Sequence, residues 1–565
     1  MLFEVKFTVK IKTLFYSWGM SKKSKISKLV VLLSLLSFTG VTTTAQAGPV
    51  LATYGDAWLE KIGDFPAVHL KGDEHTMGFQ MGYLVGDLLK ANMDDLRFKA
   101  EKNVGNFMKY VPMFIFKGLR RSVGMIFWST FSDDVKDNIE GVVAGAKARP
   151  DHVKLEKYDL AFLNSLIDIT GMLNAAGENL NKDFTQLELL NYLGMPTIHA
   201  NCDSFAAWGP RTVDGKTFQT RNTDIDTGKG IEKYPIIIVI KRDGKIPVVS
   251  TSLTGMVGVF AGMNAYGVGL GQVWTHSLYT KLQTPWQLQV RELFMNAKSA
   301  SEAVVLFSKM NKVAYGSNFI FADAGDGADG SHSEAFAIEA SSREWSVFSP
   351  NDPRELFLKY NDQSVGLPIP YAIARGDLYL DLGLRSHQTS ANGPNGDPHG
   401  SGGYDERYKG QIDRILAYEQ QGVKISGAEA IKISQDTAMR DGNLINAVYG
   451  NTDRELWVSY ARMNDDGTET QAYAQDYTHI PFYEYLSTVS RNSNGSLRID
   501  SYLDSKKSPR EMMVRVSRKG SEISKESVSL VQASIELPKT HNLKKGDLVE
   551  LLDAKDGTLV DRLAL

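Results

Sequence analysis

Apolar positions along the chain change their period at Cys202. From about Gly55 to Ala200 they recur mostly with helical spacing. In His75–Lys90, Met77, Met81, Leu84, Leu88 and Leu89 fall near one face. Gly78, Gly82 and Gly86 recur in the same stretch at helical intervals, which predicts close packing on a neighbouring helix. Tyr110–Phe131 is rich in Phe, Met and Trp and reads as a buried helical hairpin or, alternatively, an acyl-binding lid. Asp133–Ala148 and Lys157–Met172 predict two further amphipathic helices.

After Cys202 the runs are short and β-like: Ser204–Trp208, Thr217–Arg221, Ile236–Lys241, Val248–Thr251 and Val268–Trp274. Asp214-Gly215 and Asp243-Gly244 between them are hairpin signals. Helical spacing returns at Pro285–Ala297 and Ser301–Ser308, followed by strands at Asn318–Asp323, Glu334–Ala340 and Trp345–Phe348. Tyr404–Gln421 and Ser426–Asp436 read as helices, Leu444–Tyr449 and Glu455–Ala461 as strands. This segregation of strands from helices predicts a layered α+β body rather than alternating βαβ units. Ser386–Tyr404 is a Gly/Asn/Pro-rich surface loop, Asn492–Ser496 reads as a linker, and residues 491–565 read as a small β-rich appended domain.

The N-terminal residues carry a different message. Lys22, Lys23, Lys25 and Lys28 precede the apolar run Leu29–Phe38, and Ala45-Gln46-Ala47 supplies small residues for cleavage. The pattern predicts a signal peptide over residues 1–47, with an uncleaved anchor as the alternative and Met20 as a candidate start. The run is shorter than the ~20 residues of a membrane span, so the mature chain is expected to carry no transmembrane helix and to be exported, periplasmic or secreted.

Composition narrows the chemistry. Lys plus Arg number 63 against 66 Asp plus Glu, so no basic excess is available for nucleic acid. The single cysteine excludes an intramolecular disulfide and a Cys-rich metal site. No H-E-x-x-H or G-x-S-x-G elbow is present, no P-loop or dinucleotide fingerprint is convincing, and the acidic loop Asp323–Asp329 lacks the bidentate Glu of a calcium loop. Neither a cofactor nor a metal is expected.

Cys202 therefore stands out, either as a buried small hydrophobe or as a reactive group. It sits where helical pattern gives way to a hairpin whose second strand ends in Arg221-Asn222-Thr223-Asp224. Such a hairpin returns Arg221 and Asp224 to the Cys end. A guanidinium beside a thiol favours the thiolate, and a carboxylate can orient a nucleophile or hold an amino group.

The segment His199–Asp226, HANCDSFAAWGPRTVDGKTFQTRNTDID, resembles the nucleophile region of the N-terminal nucleophile (Ntn) hydrolases. It is most similar to the isopenicillin-N acyltransferase-like family, a relative of the choloylglycine hydrolases and phospholipase B-like proteins. That family is marked by a Cys opening the first strand and R-N-x-D further on, matched here by Cys202 and Arg221–Asp224. Further likenesses are HLKGDEHTMGFQMGYLVGDLL upstream, the G-x-N-x-x-G hairpin at Gly262–Val268, SNFIFADAGDG followed by FAIEA, LFLKYND at Leu356–Asp362, YDERYKGQIDRIL containing Arg407, and INAVYGNTDRELWVSYAR. Together they span about Pro66 to Arg462.

The resemblance implies a four-layer αββα sandwich over residues 202–490, preceded by a helical pro-segment, residues 48–201, that wraps it. It implies that the Asn201–Cys202 bond is cut by the chain itself, that Cys202 is the nucleophile and its freed α-amine the base, and that the N-terminal fragment stays bound as a partner. Arg221 and Asp224 then organise the nucleophile. Asn361 is the expected oxyanion donor, Asn264 and Gln272 are further candidates, and Arg407 anchors site loops or a substrate carboxylate. The activity implied is acyl transfer or hydrolysis of an amide or ester of a small amphipathic molecule. A phospholipase B-like deacylase and an inactive exported binding protein on the same fold are the alternatives.

Overall fold

Three strands precede the first helix, the last two of them inside the stretch read as mostly helical: β1 (Ala47–Tyr54), β2 (Ala57–Ile62) and β3 (Phe65–Gly72). Their turns are built on Gly55 and Gly63, both at positive φ and each followed by Asp. The segment before Cys202 is thus part sheet, a correction to the mostly helical expectation. In this computed structural model the described residues are 47–102, 113–179, 200–225, 230–275, 277–310, 313–325, 332–360, 362–388, 405–502, 510–530, 534–537 and 543–565. The signal-peptide expectation for residues 1–46 lies outside them.

Four helices follow: α1 (Glu74–Lys102), α2 (Met113–Trp128), α3 (Asp133–Ala148) and α4 (Lys157–Asn179). α2 is a single helix with Met125 and Ile126 exposed and Phe127 buried, so the expected buried hairpin is not what forms. The glycine series acts as predicted. A Cβ on Gly82 would lie 2.0 Å from the Val142 carbonyl oxygen, and one on Gly145 2.0 Å from that of Phe79, so α1 and α3 meet backbone to backbone.

The central strands are β4 (Ala200–Ala207), β5 (Phe218–Ile225), β6 (Pro235–Arg242), β7 (Val248–Leu253), β8 (Ala261–Asn264) and β9 (Gly269–Trp274). Helices α5 (Trp286–Phe294) and α6 (Ala300–Lys309) lead to β10 (Ser317–Ala322), β11 (Ala335–Ala340) and β12 (Trp345–Phe348). A short hairpin, β13 (Lys359–Tyr360) with β14 (Gln363–Ser364), precedes β15 (Ala372–Arg375). Helices α7 (Leu382–Arg385), α8 (Gly410–Gln420) and α9 (Gly427–Thr437) lead to β16 (Asn443–Gly450) and β17 (Glu455–Tyr460). Beyond them lie β18 (Arg462–Met463), β19 (Glu469–Thr470) and β20 (Thr478–Ile480).

Two sheets result. One has ten strands in the order β1-β2-β3-β6-β7-β8-β9-β10-β11-β12, the other six in the order β15-β4-β5-β16-β17-β20. All their described pairings are antiparallel except β3 with β6. The sheets face each other: Gln219 Nε2 of β5 donates to the Ile320 carbonyl of β10 at 3.0 Å. Helix α9 covers the outer face of the smaller sheet, where Asn222 Nδ2 donates to the Ser434 carbonyl at 2.9 Å. Helices α5 and α6 cover the outer face of the larger one, with Phe307 packed 5.2 Å from Phe319. The order helix–sheet–sheet–helix is the αββα sandwich expected of the sequence. Helix α1 joins the outer helical layer through Glu74, which pairs with Arg291 of α5 at 2.7 Å.

The C-terminal residues are β-rich as expected, but their sheet begins earlier. β21 (Ser487–Arg491) pairs with β22 (Leu497–Ser501), so Asn492–Ser496 is a hairpin turn, closed by Asn492 N–H on the Ser496 carbonyl at 2.8 Å, and not a linker. A turn and a linker share the same small polar residues; only the pairing of the flanking strands distinguishes them. Asp561 of this part lies fully buried between Lys71 of β3, at 2.5 Å, and Lys241 of β6, at 3.1 Å. Burial pushes the Lys241 ammonium down to about 8, against the pull of Asp561.

Replacing a helix-interior glycine by alanine ordinarily stabilises by about 1 kcal/mol. At Gly82 the clash with Val142 wins, and Gly82→Ala is expected to destabilise by ~1–3 kcal/mol, read as a lower Tm in thermal unfolding.

Candidate active site

The site is organised by the register of β4 on β5. Cys202 lies opposite Thr223, Asp203 opposite Asn222, and Asn201 opposite Asp224. Because successive residues of a strand point to opposite faces, Cys202, Arg221 and Thr223 share the face between the sheets, while Asp203, Asn222 and Asp224 face α9. Gly271 of β9 lets the sheets approach here: a Cβ on it would lie 1.9 Å from Ser204 Oγ.

On the inter-sheet face, Arg221 is fully buried. Its Nε donates to the Gln272 carbonyl at 3.0 Å and Nη2 to Gln272 Oε1 at 2.7 Å. The guanidinium lies 4.8 Å from the Phe260 ring centre and 5.2 Å from that of Trp286. Its Nη1 has no oxygen or nitrogen partner among the described residues, and the group interacts with the Cys202 thiol by charge and hydrogen bond. Burial pushes the Cys202 thiol up to about 12, with Asp377 and Asp224 adding to the rise, against the opposing pull of Arg221 and the Trp274 backbone N–H. The Trp274 and Tyr315 rings pack against each other at a tilt, 4.9 Å between centres.

On the other face, buried carboxylates collect. Asp224 accepts from Asn443 Nδ2 at 2.7 Å and from the Met439 N–H at 3.3 Å. Asp203 accepts from Asn222 Nδ2 at 3.0 Å on both oxygens. Asp377, just beyond β15, accepts the Cys202 backbone N–H on Oδ1 at 2.8 Å and Arg407 Nη1 on Oδ2 at 2.6 Å. Arg407 Nε lies 3.7 Å from Asp224 Oδ2, so one guanidinium bridges two of the acids. Burial raises all three carboxyls: Asp203 further through Asp224, Asp224 against the pull of Arg407, and Asp377, also against Arg407, to about 7. Burial alone would lower Arg407, but Asp377, Asp224 and Asp203 together hold it above its ordinary value.

The expected site residues thus meet different fates. Cys202, Arg221, Gln272, Asp224 and Arg407 come together around one strand end. Gln272 accepts from Arg221 on its side-chain oxygen at 2.7 Å, and its Nε2 donates to Ser317 Oγ at 3.3 Å, so both ends of its amide are engaged within the fold. Asn264 is removed from the candidates: its Nδ2 donates to the Phe294 and Ala297 carbonyls and its Oδ1 accepts from Tyr266 and Val268, so it closes the β8–β9 turn. Asn361 and the side chain of Asn201 lie outside the described residues. Sequence reasoning missed Asp377 and Asp203. Asp377 follows Arg375-Gly376, which reads as an ordinary turn; Asp203 carries the one available signal, an acid inside an apolar strand adjoining the cysteine.

No protein-family model and no curated protein sequence matches the chain. Among solved structures it is similar to a Caenorhabditis elegans ortholog of N-acylethanolamine-hydrolyzing acid amidase, with 15% identity, 44% of this chain and 93% of that one covered, and a TM-score of 0.31. It is also similar to a mutant of the conjugated bile acid hydrolase from Clostridium perfringens, with 14% identity, coverage of 48% and 93%, and a TM-score of 0.31. A penicillin V acylase from Agrobacterium tumefaciens matches with 11% identity, coverage of 46% and 83%, and a TM-score of 0.26. TM-scores this low carry no weight for the chemistry of the site.

The raised carboxyls have a thermodynamic consequence. Each holds its proton to a higher pH in the folded chain than at its ordinary value of 3.8, so over that interval the folded state binds more protons than the unfolded one. The stability they contribute is full below about pH 4 and is lost as pH rises through the folded value, about 7 for Asp377. Thermal unfolding is expected to show Tm falling from pH 5 to pH 8, with a shallower fall in Asp203→Asn, whose amide does not titrate. A Tm that rises over this range contradicts the assignment.

Proposed function

We propose that the chain is an exported, self-cleaving Ntn-type enzyme that hydrolyses or transfers the acyl group of a small amphipathic amide or ester, with Cys202 as nucleophile. The observation that carries this reading is the treatment of Cys202 itself: its sulfur faces a buried guanidinium and its nitrogen a buried carboxylate. A structural cysteine in an apolar core needs neither partner.

The chemistry follows from those two environments. Arg221 stabilises the thiolate, the attacking form, within a site where burial alone disfavours it. Gln272 holds the guanidinium from two sides, and the Trp274 N–H offers a backbone donor beside the sulfur. Once the Asn201–Cys202 bond is cut, the α-amine of Cys202, with an ordinary pKa of ~8, is suited to take the proton of its own thiol at neutral pH. Asn361 is the proposed oxyanion donor, since a carboxamide N–H aimed at developing charge stabilises the tetrahedral intermediate. The buried rings of Phe260 and Trp286 pack on the guanidinium and keep water from it. The signal-like segment before Gly48 supports export.

The cut is the direct test. With the leader removed, the products are Gly48–Asn201 and Cys202–Leu565, about 17 and 40 kDa at the mean residue mass of this 62.5 kDa, 565-residue chain. Purified wild type is expected to show both bands on a denaturing gel, the larger beginning at Cys202 on N-terminal sequencing, while Cys202→Ala stays whole. A wild-type chain that remains intact on long incubation removes the amine-base mechanism. A larger band beginning elsewhere removes the nucleophile.

A further inference from the structure

The carboxylate that touches the nucleophile's nitrogen is not the one the R-N-x-D motif supplies. Asp224 is occupied by Asn443, Met439 and Arg407 on the α9 side of β5. Asp377 instead receives the Cys202 N–H at 2.8 Å. Its position is built from several directions. Asn318 Nδ2 donates to the Gly376 and Leu378 carbonyls at 3.0 and 2.8 Å, on either side of Asp377. Gln388 Nε2 donates to the Asp377 carbonyl at 2.9 Å, and Gln388 is itself oriented by Arg385 Nη1 at 2.6 Å. Arg407 holds the second carboxylate oxygen at 2.6 Å. A fully buried acid clamped by this many groups and aimed at one backbone nitrogen is placed for that nitrogen.

We propose that Asp377 is a catalytic residue: its carboxylate holds the Cys202 nitrogen while the chain cuts itself and afterwards holds the freed amine beside its own thiol. The proposal rests on the reading of the chain as a self-cleaving thiol enzyme. In the cut, the sulfur attacks the Asn201 carbonyl carbon and a C–S bond forms. The C–N bond to Cys202 breaks, its electron pair goes to the nitrogen, and the nitrogen takes up the proton given by the thiol. Water then adds to the thioester carbonyl, the C–S bond breaks, the sulfur regains a proton and Asn201 leaves as a carboxylate. The nitrogen is the leaving atom in the first step and the base in later turnover, so an acceptor fixed on it acts in both.

The charges that face this nitrogen are Asp377, Arg407, Asp224 and Asp203 on one side and Arg221 and the thiol on the other. Removing the Asp377 charge has two separable effects. The nitrogen loses a charge-assisted hydrogen bond, which slows the cut. The thiol loses a neighbouring negative charge that raises its pKa, which moves thiolate formation to lower pH. A merely structural residue produces the first effect without the second.

The test is the first-order rate of self-cleavage at pH 9, where Asp377 is ionised, followed on denaturing gels in wild type, Asp377→Asn and Asp377→Glu, with circular dichroism as the check on folding and the rate of Cys202 alkylation by iodoacetamide at the same pH as the readout of its thiolate fraction. Asp377→Asn is expected to cut about ten- to a hundredfold more slowly while its thiol is alkylated faster than that of wild type. Asp377→Glu is expected to recover part of the cleavage rate and to return alkylation toward wild type. A folded Asp377→Asn that cuts like wild type, or cuts slowly with unchanged alkylation, overturns the proposal and leaves the thiol-enzyme reading standing. If Asp377→Asn does not fold, Asp377→Glu decides alone: a wild-type rate from a carboxylate displaced by one methylene shows that the nitrogen does not need this contact. A wild type that never cuts removes the underlying reading instead.

Discussion

Arg407 is the group on which the interior behind Cys202 depends. Three carboxylates are buried there, and an ionised carboxylate taken out of water without a partner costs several kcal/mol. One guanidinium lies within reach of two of them, and Asn222, Asn443 and backbone N–H groups take up further lone pairs. A single cation does not balance three anions, and burial raises all three carboxyls against its pull. Deleting Arg407 would leave Asp377 and Asp224 without their common partner and loosen the grip on the Cys202 nitrogen.

The strand geometry turns this cluster into an asymmetric setting for one residue. β4 runs between a face that carries Arg221 and aromatic rings and a face that carries the acids. The sulfur and the nitrogen of the same cysteine thereby meet opposite charge, although they are separated only by Cα and Cβ. The register of β4 on β5 maintains this, because a slip of one residue would exchange the two faces.

The segments before Cys202 and beyond β20 secure the sandwich. β3 pairs with β6 along its length, and α1 meets α3 through glycines that admit no side chain, so the chain before Cys202 is held by sheet hydrogen bonds and close helix packing independent of the peptide bond at Cys202. From the other end, Asp561 pairs with Lys71 and Lys241, joining the C-terminal strands to β3 and β6. The N-terminal and C-terminal parts thus grip the same two strands.

The sequence by itself determined the elements whose periodicity is carried by neighbouring residues. Asp133–Ala148 and Trp345–Phe348 form where the pattern predicts, and the change from helical to alternating spacing at Cys202 marks the first strand of the smaller sheet. It also singled out Cys202, Arg221 and Asp224, because a lone thiol followed by a guanidinium and a carboxylate is a local chemical pattern, while Arg407 entered through the family resemblance alone. The tertiary structure decided what depends on partners distant along the chain. β1–β3 become strands because β6 offers them an edge, and no local period announces that edge. Asn264 resembles a site residue in its motif, yet the carbonyls of Phe294 and Ala297 bind its side chain in a turn. Asp377 sits in an unremarked Gly-Asp turn and acquires its place only when Asn318, Gln388 and Arg407 fold around it. Periodicity and residue chemistry are local properties and can be read in one dimension; hydrogen bonds and charge pairs between remote segments exist only once loop closure has brought those segments together.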